Sequence, residues 1–134
     1  MNNLEIEIKN TSYTFKAGFA FLHKVNKEVT APVDGFDKKK EIGLPWLVAN
    51  IIEGDIDFLV KCLLDMNMNQ TPRLTKEDLE EWLEEEVDDI DAVFKEVIDF
   101  LLSANVCKKA LAQVAQEYKK MQEVELKKTA KNKK

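Results

Sequence analysis

The sequence predicts a mainly α-helical (α+β) domain, in which a small amino-terminal β-hairpin packs on a bundle of about five or six amphipathic helices. Three observations lead there. Leu4, Ile6 and Ile8 alternate with Glu5, Glu7 and Lys9, the period of a half-buried strand. From Phe15 onward, apolar residues recur at spacings of three and four in one segment after another. The segments are separated by turn and cap residues such as Gly35, Gly54-Asp55, Pro72 and Asp89.

In order along the chain, residues 4–15 predict the hairpin, with Asn10-Thr11-Ser12 as its turn and Tyr13-Thr14-Phe15 as its return strand. Such a pair is barely stable alone and leaves an edge open to another chain. A helix follows from Ala17 to about Val29, its face made by Phe15, Phe19, Leu22, Phe21 and Val25. His23, the lone histidine, falls at the surface boundary beside Lys24. Thr30 to Gly43, with Pro32, Gly35 and Lys38-Lys39-Lys40, has the composition of a long loop. Leu44, Leu47, Val48, Ile51 and Ile52 mark the next helix, with Pro45 in its first turn and Gly54 at its end. Asp55 opens another, striped by Ile56, Leu59, Val60, Leu63 and Leu64. Thr75 and Asp78 resemble a capping box ahead of a short acidic helix that turns Leu79, Trp82 and Leu83 inward. The most polarised stretch, Asp89 to Asn105, carries Ile90, Val93, Phe94, Val97, Ile98, Leu101 and Leu102 on one face and reads as the spine of the bundle. Cys107, Leu111, Val114, Tyr118 and Met121 then form a heptad-like seam of barely two heptads. The expected organisation is a single domain over residues 1–126 and a disordered lysine-rich tail over 127–134.

Composition narrows the function. A hydrophobic fraction of 45% over 134 residues suits a folded chain with its own core. Cys62 and Cys107 form no CxxC pair and point to reduced thiols. Met1 is followed by Asn-Asn-Leu-Glu, with neither the basic start nor the apolar run of a secretory signal, and no stretch has the length of a membrane span. Charge is uneven. Residues 76–99 hold twelve acids against two lysines, whereas residues 119–134 hold seven lysines against two glutamates. Fields of that kind guide oriented association with other proteins.

Catalytic patterns are absent. Neither GxxxxGK[ST] nor GxGxxG occurs, and Glu84-Glu85-Glu86-Val87-Asp88-Asp89 lacks the central glycine of a calcium loop. An exposed run of this kind offers no desolvation to separate two carboxyl pKa values for acid–base work. The basic tail has no arginine for base edges and no aromatic for stacking, so specific nucleic-acid binding is not expected. No enzyme activity, metal or cofactor is assigned. The class that remains is a protein-binding module.

The order of segments resembles the tail assembly chaperones of long-tailed, siphovirus-type phages of Gram-positive bacteria. The pieces that carry the resemblance are Leu-Glu-Ile-Glu-Ile at 4–8, Phe-Lys-Ala-Gly-Phe-Ala-Phe-Leu-His-Lys-Val-Asn-Lys at 15–27 and Asn-Ile-Ile-Glu-Gly-Asp-Ile-Asp-Phe-Leu at 50–59. Leu-Thr-Lys-Glu-Asp-Leu-Glu-Glu-Trp-Leu-Glu at 74–84 and Asp-Asp-Ile-Asp-Ala-Val-Phe-Lys-Glu-Val-Ile-Asp-Phe-Leu-Leu-Ser at 88–103 complete them.

The resemblance implies a non-enzymatic protein of the host cytoplasm, absent from the mature virion. It would bind and solubilise the tape measure protein, recruit tail tube subunits and self-associate as a homo-oligomer, in a ring or spiral. Many such proteins also have a longer, frameshifted form. Phe19, Phe21, Trp46 and Met66 are the candidates for lining an apolar client groove. Glu84, Glu85 and Glu86 are candidate charged contacts, as are Lys127 and Lys128 of the tail. The competing reading is a small regulatory adaptor, antitoxin-like or antirepressor-like, that masks a protein partner.

Overall fold

A computed structural model describes the backbone of residues 3–32 and 39–132, with side chains over 3–31 and 40–125. The architecture is the one expected: a two-stranded hairpin, β1 (Leu4–Ile8) and β2 (Thr11–Phe15), laid on six α-helices. These are α1 (Phe19–Asn26), α2 (Gly43–Ile52), α3 (Ile56–Asn67), α4 (Lys76–Glu81), α5 (Ile90–Ser103) and α6 (Ala112–Asn132).

The hairpin turn is shorter than the sequence suggests. Lys9 and Asn10 alone make it, at φ 52° and 67°. Positive φ at both central residues gives the turn the hand that matches strand twist. Thr11 and Ser12 are therefore already in β2, paired with Ile8 and Glu7. Leu4 lies opposite Phe15, and Ile6 opposite Tyr13, so one hairpin face is apolar and packs on α3. Lys9 leaves the turn toward α4, with its ammonium 3.3 Å from Asp78 and 2.5 Å from Glu81.

The expected loop from Thr30 to Gly43 contains a second antiparallel pair, β3 (Thr30–Pro32) and β4 (Lys39–Glu41). β-Branched Val29 and Thr30 favour the extended backbone, and the Ile42 N–H continues the ladder to the Val29 carbonyl at 2.8 Å. Gly35 and Lys38 lie outside the described residues.

The bundle is organised around α2 and α3, each packed against four other elements, rather than around α5. Leu59, Cys62 and Leu63 are completely buried, and α3 packs against β2, α1, α2 and α4. α5 buries only Val97, Ile98 and Leu101 and packs chiefly on α2. Its wide apolar face is real, but Ile90, Val93, Phe94 and Leu102 are only half covered.

Caps sit where the sequence places them. The Asp55 carboxylate accepts from the N–H groups of Asp57 and Phe58, Asp89 from Ala92, and the Thr75 hydroxyl from Asp78. The capping box stops there, because the Asp78 carboxylate takes Lys9. A π-helical turn, Trp82–Glu86, extends α4, with the Val87 N–H bonded to the Trp82 carbonyl at 3.1 Å. α5 ends at Ala104, whose extended ψ of 127° breaks the helix just before Asn105.

α6 crosses residue 126, where the sequence predicts order to end, and its backbone is helical to Asn132. Lysine and alanine are good helix formers, and lengthening an existing helix costs far less than starting one. Lys133 and Lys134 lie outside the described residues.

Two positions lock the core. At Gly43 an added Cβ would lie 1.8 Å from the Val25 carbonyl oxygen, so the start of α2 touches the end of α1 backbone to backbone. The Asn26 side-chain oxygen accepts from the Leu44 N–H at 3.3 Å across the same contact. Asn67, fully buried, donates to the carbonyls of Thr14 and Pro72 at 3.0 and 3.2 Å and accepts from the Leu74 N–H at 2.7 Å. Asn67→Leu leaves all three backbone groups unpaired and lowers stability by about 2–4 kcal/mol in urea unfolding. Gly43→Ala forces the two helix ends apart and costs about 3 kcal/mol in the same assay.

Candidate functional site

The described residues form apolar depressions in two regions, at opposite ends of α3. The first is a cleft of about 260 Å³ between the start of α1 and the end of α3, lined by Lys16, Phe19, Phe21, Met66, Met68 and Gln70. It brings together three of the four apolar residues picked from the sequence, although not as equals. Phe21 and Met66 are core side chains, 2% and 1% exposed, that present an edge to the cleft floor. Phe19 stands out of the surface, 65% exposed, with its ring centroid 5.8 Å from that of His23. On the other side of Phe19, a groove of about 430 Å³ is walled by Phe100, Ala104 and Val106. Trp46, half-exposed on α2, lines neither.

Beneath the cleft, a charged network ties α1 to α3. Asp65, almost buried, accepts from the Lys24 ammonium at 2.9 Å and from the Lys61 ammonium at 2.7 Å. Glu28 completes a four-membered cluster with both lysines. The hydrogen bond that Lys24 donates to Asp65 raises the Lys24 pKa, against a smaller opposing effect of burial. The signal for Asp65 is an acid inside the apolar run Leu63-Leu64-Asp65-Met66; Lys61 is its i,i+4 neighbour on the helix, but Lys24 is 41 residues away and only the fold brings it in.

The second depression is a furrow of about 660 Å³ floored by the buried side chains Ile51 and Ile98 and walled by Ile56, Phe94, Tyr118 and Met121. It continues, through Ile56 and Ile90, into a further hollow of about 320 Å³ over Val60 and Leu83. Ile56 and Met121 are 42% and 53% exposed, so large apolar walls face solvent. Acids stand along the rim: Asp57, Glu80, Glu84 and Asp91. The π-helical turn places Leu83 in the core and Glu84 on this rim. Glu85 and Glu86 are exposed beyond it. Lys127 and Lys128 lie on the helical backbone of α6, and their side chains fall outside the described residues.

Sequence periodicity alone passes over this furrow, because Ile56, Phe94 and Met121 satisfy the same spacing rule as core residues. What separates them is coverage: α6 crosses α2 and leaves the gap between itself, α5 and the start of α3 unfilled.

Both thiols are interior. Cys62 and Cys107 are free and completely buried. Burial pushes the Cys107 thiol up to about 11 and, helped by the charge of Asp65, raises that of Cys62 as well. No group of His, Cys, Asp and Glu among the described residues is placed to hold a metal ion. No helix among them is long and apolar enough to cross a membrane.

Apolar furrows between helices, with charge on the rim, are the kind of surface that helix-in-groove recognition uses. The chain belongs to the phage tail assembly chaperone family: the model described as "Phage tail assembly chaperone protein, TAC" matches residues 5–116, from β1 into α6. Membership implies interaction with phage tail proteins. No curated protein and no solved structure gives a significant match.

Raised thiol pKa values favour the folded state below the unfolded value of about 9. The Cys107 contribution is lost as pH climbs toward 11, and that of Cys62 at still higher pH. The urea midpoint therefore falls above about pH 9, and a Cys62→Ala/Cys107→Ala variant shows a smaller fall. At pH 8 the native protein leaves both thiols unlabelled by a disulfide reagent, whereas the denatured chain reacts at both.

Proposed function

We propose that the protein is a non-enzymatic chaperone that binds the tape measure protein, keeps it soluble and brings tail tube subunits to it. It acts in the host cytoplasm of a siphovirus-type phage of Gram-positive bacteria and leaves before the virion is complete. Family membership supports the tail assembly role. The observation that carries the client reading is the exposed apolar furrow, with Ile56 and Met121 open to solvent beside half-buried Phe94 and Tyr118. A long helical client with an apolar face aggregates unless that face is covered, and a furrow between helices covers it in the manner of helix-in-groove recognition.

Charge supports the same reading. The acidic stretch from α4 to α5 keeps a client complex in solution by repulsion between complexes. It also suits self-association with the basic end of another copy, by which copies would line up along a rod-like client. Phe19, standing between its cleft and its groove, is the second apolar contact we assign, either to the tail tube protein or to a neighbouring copy.

Co-expression with the tape measure protein of the same phage tests this directly. The long client is expected in the soluble fraction only when the chaperone is present, and the two co-elute on sizing. A client that precipitates regardless, with the chaperone eluting alone, overturns the reading.

A further inference from the structure

We propose that the furrow between α3, α5 and α6 seats an amphipathic helix of a partner, one that carries lysine or arginine on both sides of its apolar stripe. This rests on the client reading above and goes beyond it by naming the surface and the chemistry it selects.

The apolar part of the site sets the shape of the occupant. Ile51 and Ile98 close the floor, and Ile56, Phe94, Tyr118 and Met121 rise on either side. Through Ile56 and Ile90 the depression runs on over Val60 and Leu83. Two connected hollows take successive anchors of one helix, spaced i, i+3 or i+4, and i+7.

The rim sets its charge. Asp57, Glu84 and Asp91 border the hollows, and among the described residues none of them makes an ion pair. Glu80 has only a 3.7 Å pair with Lys76, with both side chains at least half exposed. The base among the lining residues, Lys95, is held 2.7 Å from Asp99, which also raises its pKa and cancels most of its field. A helix with acidic flanks would bring like charges to this rim, whereas basic flanks meet complementary ones. The C-terminal part of α6 from a second copy is the basic helix within the chain itself. Its apolar stripe, Met121 and Val124, is broken at Lys128, too soon to reach both hollows.

The test uses the full chain and three labelled, amidated 18-residue peptides. One has leucines at i, i+3, i+7 and i+11 with lysine flanks, one has the same stripe with glutamate flanks, and one has lysine flanks with the leucines scrambled. Fluorescence anisotropy is expected to show the lysine-flanked helix binding at least tenfold more tightly than either control, with binding weakened by salt. Glu84→Lys/Asp91→Lys, at two exposed positions, reverses the preference between the flanked twins. Met121→Asp weakens both, while circular dichroism melting of the variants stays near that of the parent. Equal binding of the lysine and glutamate twins, no binding of either, or unchanged preference in the charge-reversal variant overturns the proposal. So does a change in sedimentation of the chain without a change in peptide binding, which assigns the furrow to a second copy.

The same variants are co-expressed with the tape measure protein. If the parent and both variants all keep it soluble, the chaperone reading stands and the furrow assignment falls. If the parent binds the lysine-flanked peptide yet fails to hold the client, the furrow stands and the client reading falls.

Discussion

One buried amide ties the amino-terminal hairpin to the middle of the chain. Asn67 sits at the last turn of α3 and satisfies backbone groups from β2 and from the segment that leads into α4. Nearby, the Lys16 N–H caps the Met66 carbonyl at 2.9 Å. Backbone polar groups buried without partners are costly, so the hairpin cannot sit on the bundle in another register without breaking this set. Among the described residues every buried side-chain polar atom has a partner. The core is otherwise generic: Phe15, Phe21, Leu44, Leu47, Ile51, Leu59, Leu63 and Leu79 fill it by shape. Hydrophobic burial supplies the bulk of stability, and Asn67 with the Gly43 contact supplies the uniqueness.

That arrangement explains why apolar surface is left uncovered. α3 is packed by four other elements and leaves mainly its first turn, at Ile56, open. α5 and α6 are attached mainly through α2, and their half-covered apolar faces diverge. A chain of this size has enough apolar residues to fill one core and still leave Ile56, Phe94 and Met121 at the surface. Placing acids around them discourages indiscriminate sticking while leaving the apolar strip open to a complementary partner.

Much of the fold was legible because its signals are local. Period-two alternation in residues 4–8 and the caps at Asp55, Thr75 and Asp89 all depend on neighbours within about four residues. What escaped depends on contacts between distant segments. Nothing in the run Met66-Asn67-Met68-Asn69 separates Asn67 from Asn69, yet one is a core hub and the other is exposed. The clean division between apolar and charged faces makes α5 the most conspicuous helix in the sequence. Such a division reflects only how one-sided a helix's burial is, and α3 is central because it is contacted from several sides. The candidate site divided in the same way. Phe19, Phe21 and Met66 do meet at one cleft, and Glu84 does reach a rim, while Trp46 stands apart and the furrow itself emerges only from the gap between helices.

α6 spans 21 residues, roughly 30 Å at 1.5 Å per residue. Leu111, just before it, is buried, Val114 and Tyr118 are half covered, and every side chain described from Lys119 to Glu125 is exposed. Burial thus fades along the described part of the rod, so its free energy of opening is graded: near the global value at the root and lower toward Glu125. The wall of the furrow supplied by Met121 belongs to the softer half. The width of the groove is consequently adjustable at small cost, without refolding of the core.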